Sequence, residues 1–128
     1  MDYYGPRVPI GGGALSGKDL SHIDRAAAYA LRQAAIHAVA GGARECLVTG
    51  CWAPHQPAPL DIIRQLDGPG ARLPPRWFEH GDMVRRLDVG TVGPALAEGR
   101  HFVDLALPWN HPAIGAARAP LASRTGAR

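Results

Sequence analysis

The residues best able to do chemistry lie together near the start of the chain. Gly11-Gly12-Gly13-Ala14-Leu15-Ser16-Gly17-Lys18-Asp19 sets three consecutive glycines ahead of a lysine, and His22 and Asp24 follow closely. Consecutive glycines free the backbone from Cβ sterics, so it can fold tightly and approach a ligand closely. Backbone N–H groups near the start of a helix, joined by an ammonium, make a setting for an anion. Lys18 is the only lysine among the 14 Lys and Arg residues. A composition that uses arginine everywhere else keeps a compact, flexible point charge here in place of a planar fork.

The clearest element follows that loop. Ser21 is the expected N-cap of a helix over 22–40, with Asp24 standing where a capping box has its acid. Ile23, Ala27, Ala30, Leu31, Ala34, Ala35, Ala38 and Val39 recur at helical spacing, and Arg25, Arg32, Gln33 and His37 fall mostly on the other side. Gly41-Gly42 stops the helix. Its many alanines let one face lie close against a sheet.

The proline-broken stretch 2–10 reads as a strand end and then an irregular extended loop. Apolar and β-branched residues predict strands over 45–53 and 60–66, the second closed by a turn at 67–70. A short helix is expected over 76–86, with Pro75 before it and Trp77, Phe78, Met83 and Val84 as its buried stripe. A further short helix fits 93–98, and 102–109 fits a last strand or a loop packed on the sheet. The tail 112–128, made of Ala, Gly, Pro and Arg with few large apolar residues, reads as disordered. The fold class expected is α+β, an antiparallel sheet with helices packed on one face, as one domain over 1–111.

Composition narrows the function classes. The chain of 128 residues carries a formal charge of +3, from scattered arginines. No basic run is interleaved with aromatics, so nucleic acid is not an expected partner. No run approaches the ~18 apolar residues of a membrane span and no signal peptide is recognisable, so a cytoplasmic protein is expected. Cys46 and Cys51 form no CxxC pair, which leaves neither a zinc nor a redox motif. His37, His55, His80, His101 and His111 lack metal-ligand spacing and read as scattered surface histidines. Trp52, Trp77 and Trp109 read as core or interface anchors.

Two patterns compete for the glycine loop. Gly12 to Lys18 fits G-x-x-x-x-G-K, the phosphate loop of nucleotide hydrolases, but Asp19 stands where a Ser or Thr should hold Mg²⁺. A P-loop-like nucleotide binder is therefore one alternative. The longer pattern is Tyr4-Gly5, Gly11 to Asp19, then Ile23-Asp24-Arg25-Ala26-Ala27-Ala28-Tyr29-Ala30. It resembles the C-terminal domain of S-adenosylmethionine synthetase (methionine adenosyltransferase). That family has a tyrosine–glycine, a glycine run, Ala-Phe-Ser-Gly-Lys-Asp, a short spacer and Val-Asp-Arg-Ser-Ala-Ala-Tyr on a helix. The resemblance continues through Leu87-Asp88, Gly99-Arg100-His101-Phe102 and Leu107-Pro108-Trp109, near the family's closing Phe-Pro-Trp.

The resemblance implies an enzyme that joins ATP and methionine. The methionine sulfur attacks the ribose C5′, triphosphate leaves, and it is hydrolysed to phosphate and pyrophosphate. By position, Lys18 binds the triphosphate, Ala14 lies where the backbone touches ATP, and Asp24 is an acidic residue of the site. His22 occupies the place of a second lysine near methionine, and Ile10 replaces a histidine. Mg²⁺ and K⁺ are the implied cofactors, with their ligands expected outside this chain. The family's chain has three similar domains, and its site forms between two subunits. The implied partners are a second copy or higher oligomer, or the N-terminal part of the synthetase, and a first strand is expected to be missing here. This segment alone is expected to be inactive. The other alternative is a non-catalytic partner or regulatory derivative that binds a full-length synthetase.

Overall fold

The computed structural model describes residues 4–19, 21–65, 71–72, 74–87 and 96–110. Helix α1 spans Ile23–Ala40, and strands β1 (Leu47–Cys51), β2 (Asp61–Gln65) and β3 (Ala71–Arg72) follow. A 3-10 turn at Pro75–Phe78 and helix α2 (His80–Arg86) come next. The three strands form an antiparallel sheet in the order β1-β2-β3. The fold is α+β, as expected.

Register explains which face of the sheet is covered. Gly50 lies opposite Ile62 and Thr49 opposite Ile63. Side chains alternate across a strand, so Val48, Gly50 and Ile62 share one face. Ile62 is buried in the core and Val48 packs against it, whereas Thr49 and Ile63 are exposed. Helix α1 packs on β1 and on α2. Gly50 has to lack a side chain: a Cβ there would collide with the Trp52 indole and stand 2.8 Å from Ile62 Cδ1.

Of the apolar stripe expected on α1, Ala27, Ala30 and Ala34 are buried, whereas Val39 near its end is exposed. Those three and Ala26 are buried with Leu15 from the glycine loop and Phe78 and Met83 from the turn and α2. Arg25 and Gln33, read as the outer side of that helix, are buried at 7% and 1% exposure. Their polar ends are satisfied: Arg25 bonds Tyr29, and Gln33 accepts from Arg86 Nε at 3.1 Å. Buried polar groups are retained when so partnered.

Several expectations are corrected. The N-cap of α1 is His22, whose Nδ1 accepts from Asp24 N; Ser21 instead donates to the Asp19 carboxylate through N and Oγ. Residues 4–10 are irregular, as expected, with Val8 N bonded to Gly5 O at 3.2 Å, and the expected strand end before them lies partly outside the described residues. The helix over 76–86 is divided at Glu79, which is extended at φ −63°, ψ 138°. The reason is tertiary: His80 N donates to Pro57 O at 2.8 Å, so the chain leaves the 3-10 turn before α2 restarts. The two-residue strand β3 went unread, because Ala71 and Arg72 carry no strand pattern.

Phe102 to Trp109 is no strand; it is a run of turns that contacts α1 and brings Leu107 and Trp109 into the core shared with Ile62 of β2. The Trp109 and Tyr29 rings stack at 3.9 Å and 6°, and Arg32 donates to Asn110 Oδ1 and Phe102 O. The turn at 67–70 and the tail at 112–128 lie outside the described residues. Most of the short helix at 93–98 does too, although Leu96 and Ala97 are helical. Among the described residues, no helix is long and apolar enough to cross a membrane.

Candidate functional site

The glycine loop is pinned at its middle and open around it. Leu15 is fully buried and Gly13 is buried, whereas Ala14, Ser16 and Gly17 are exposed. A buried leucine flanked by exposed residues fixes the loop to the core while its neighbours meet solvent. Lys18 N bonds back to Leu15 O at 3.3 Å, closing the turn.

Lys18 and Asp24 are brought together. Lys18 Nζ stands 2.7 Å from Asp24 Oδ2 and donates to Gly12 O at 2.9 Å. An ammonium has three donors, so two acceptors hold it in place and one N–H remains. Both side chains are partly exposed, at 24% and 38%. Gly12 makes this possible. It has φ +61°, and an added Cβ would lie 2.5–2.8 Å from the Asp24 carboxylate atoms. Only glycine accepts that backbone and that contact together.

His22 sits beside the pair, with Nδ1 at 3.9 Å from Asp24 Oδ2 and its side chain 47% exposed. Its structural task is to cap α1. Asp24 lies in the first turn of that helix, where the dipole favours a carboxylate, yet its oxygens face Lys18 and not the helix amides. The two hydrogen bonds from Ser21 hold the Asp19 carboxyl below the usual carboxylate range. The strand–loop–helix order of a nucleotide-hydrolase phosphate loop is not found among the described residues. The loop is preceded by turns, and α1 begins at Ile23, well beyond Lys18.

A second group of residues supports the loop from beneath. Arg25 donates through Nη1 to Lys18 O at 2.5 Å and through Nε to Tyr29 Oη at 3.0 Å. Tyr29 Oη lies 2.6 Å from His101 Nδ1, and His101 Nε2 lies 3.2 Å from Ser16 Oγ. His101, read as a surface histidine, is 1% exposed. Its backbone carbonyl accepts from Trp109 Nε1 and Asn110 Nδ2, which explains why it is held so firmly. Arg25 and Tyr29 stand one helical turn apart, the one signal in the sequence that could have linked them. The contact of His101 with the loop spans 85 residues, beyond the reach of local pattern.

Among the described residues, no three His, Cys, Asp or Glu side chains gather together. The Asp24 carboxylate is engaged by Lys18.

Comparison with known proteins agrees with this loop and helix. The family model for the C-terminal domain of S-adenosylmethionine synthetase matches residues 1–71, which include the glycine loop, α1 and β1. The S-adenosylmethionine synthase of Nocardia farcinica (strain IFM 10152) is 36% identical over 125 residues, covering 87% of this chain and 31% of its own. The chain thus spans about a third of the length of that relative. On that family match, the chain belongs to the S-adenosylmethionine synthetase family, as its C-terminal domain.

Proposed function

We propose that this chain is the C-terminal part of an enzyme that forms S-adenosylmethionine from ATP and methionine, with release of phosphate and pyrophosphate. The glycine loop is one wall of its triphosphate site. The observation that carries this reading is Lys18: its ammonium is fixed by Gly12 O and Asp24 Oδ2 and keeps one N–H for a phosphate oxygen. Such preorganised donors act where charge develops on a leaving group. Lys18 holds the departing triphosphate, and Asp24 orients Lys18. Ala14, exposed on the loop, offers its backbone to the nucleotide. His22, exposed at the start of α1, lies toward methionine, where an imidazole is a shorter and weaker cation than lysine.

Mg²⁺ and K⁺ would be held by residues outside this chain. The remaining walls come from the rest of the synthetase or from a second copy. This 128-residue stretch by itself has little activity under the proposal.

Calorimetry with inorganic tripolyphosphate tests the phosphate wall. The unmodified chain binds it, and Lys18→Ala weakens binding at least tenfold, about 1.4 kcal/mol. Equal binding by the two proteins rejects the assignment of Lys18. Robust S-adenosylmethionine formation by the purified stretch alone rejects the statement that it is an incomplete site.

A further inference from the structure

The buried row Arg25, Tyr29, His101 ends on one exposed hydroxyl, Ser16, and the chemistry of its members gives it a direction. A guanidinium can only donate. The Tyr29 oxygen therefore accepts from Arg25 Nε at 3.0 Å, and it lies 2.6 Å from His101 Nδ1, toward which its hydroxyl can donate. A histidine that accepts at Nδ1 carries its proton on Nε2 when neutral, the tautomer being set by the partner of the other nitrogen. His101 Nε2 then donates to Ser16 Oγ at 3.2 Å. Ser16, with an oxygen lone pair engaged from below, turns its own proton outward. Arg25 is 7% exposed, His101 1% and Tyr29 0%, so the row lies in a low-dielectric interior where successive hydrogen bonds polarise one another.

We propose that this row fixes the Nε2-protonated tautomer of His101 and so makes Ser16 a hydrogen-bond donor to a phosphate oxygen, two residues from Lys18. The ligand part rests on the polyphosphate placement given above. Arg25 reaches the same loop twice, through Lys18 O at 2.5 Å and through the row to Ser16. Arg25, Tyr29 and His101 are thus positioning residues, and Ser16 is the group that touches the ligand. A hydroxyl aligned in this way contributes a charge-assisted bond to an anion.

Nitrogen NMR of the labelled chain reads the His101 tautomer directly, and calorimetry with inorganic tripolyphosphate reads the ligand contact. The expected results are an Nε2–H tautomer at His101 and roughly tenfold weaker binding in Ser16→Ala. That substitution also removes the Ser16 partner of the buried His101 Nε2, so the melting temperature falls and binding is read well below it. In Tyr29→Phe the His101 tautomer becomes mixed and binding weakens, while the Lys18→Ala loss persists independently. An Nδ1–H tautomer in the unmodified chain overturns the row. Full binding by Ser16→Ala, with binding lost in Lys18→Ala, overturns the role of Ser16. If Lys18→Ala also binds as well as the unmodified chain, the polyphosphate placement fails and takes the ligand of Ser16 with it; the tautomer still decides the row.

Discussion

Gly12→Ala separates a loop built for close contact from one that is merely flexible. The perturbation acts twice. The backbone stands at φ +61°, where an L-residue with a Cβ is strained by roughly 1–2 kcal/mol. The new methyl would also lie 2.5–2.8 Å from the Asp24 carboxylate, so that carboxylate must leave Lys18. The ion pair is partly exposed and contributes only about 0.2–1 kcal/mol. Together the loss is about 1–3 kcal/mol. At this chain length each kcal/mol lowers the melting temperature by roughly 4 °C, so a drop of about 4–12 °C is expected. Gly11→Ala is the internal control: nothing lies within 4 Å of its Cβ position. It should be neutral or slightly stabilising, because alanine restricts the unfolded chain. Thermal unfolding by circular dichroism measures both variants, and tripolyphosphate calorimetry should show weaker binding in Gly12→Ala alone. Identical melting of the two variants would refute the reasoning, since it would mean that the Asp24 contact does not constrain Gly12.

Two further outcomes follow from the same geometry. The Asp19 carboxyl is held below its ordinary range by the Ser21 hydrogen bonds, so its contribution is present above the unfolded value near 3.9 and is lost as pH falls through the lower folded value. Asp19→Asn should therefore lower the melting temperature more at pH 6 than in acid, and a difference that grew toward acid would contradict the assignment. Trp109→Ala removes a fully buried ring stacked on Tyr29 and a bond to His101 O, which should lower stability by about 3–5 kcal/mol in chemical denaturation. A loss under 1 kcal/mol would mean that segment 101–110 is not part of the core.

What the sequence made legible was local. The alanine stripe, the stop at Gly41-Gly42 and the strand cores all depend on neighbours within a turn or two, and α1 and both longer strands formed where read. The failures were tertiary. His22, whose Nδ1 accepts from Asp24 N, stands as N-cap in place of Ser21, whose hydroxyl turns to the Asp19 carboxylate. Glu79 interrupted a helix because a proline carbonyl of a distant loop accepts the next amide. Arg25 and Gln33 were placed outside by polarity alone, yet each found a buried partner, and polarity excludes burial only when partners are lacking. In the glycine loop, Lys18 stood out by type and place, whereas Asp24 was singled out through the family resemblance and otherwise read as a helix cap. Their meeting at Gly12 depended on a backbone angle that no residue pattern states.

The same contrast clarifies what the loop contributes under the proposed function. Lys18 and Asp24 together are close to neutral, and the Arg25 guanidinium lies beneath the loop on Lys18 O. A polyphosphate therefore meets little net positive charge on this wall. What the wall offers is direction: one fixed ammonium N–H, the exposed Ala14, and a hydroxyl oriented from below by His101. Preorganised donors need no rearrangement as charge develops, whereas neutralising a polyanion requires cations close on several sides. It follows that substitutions in Arg25, Tyr29 or His101 should disturb how a phosphate is oriented more than how strongly charge draws it in. Raising the ionic strength should weaken binding by similar factors in Tyr29→Phe and the unmodified chain, because screening acts on net charge and leaves the geometry of the row untouched.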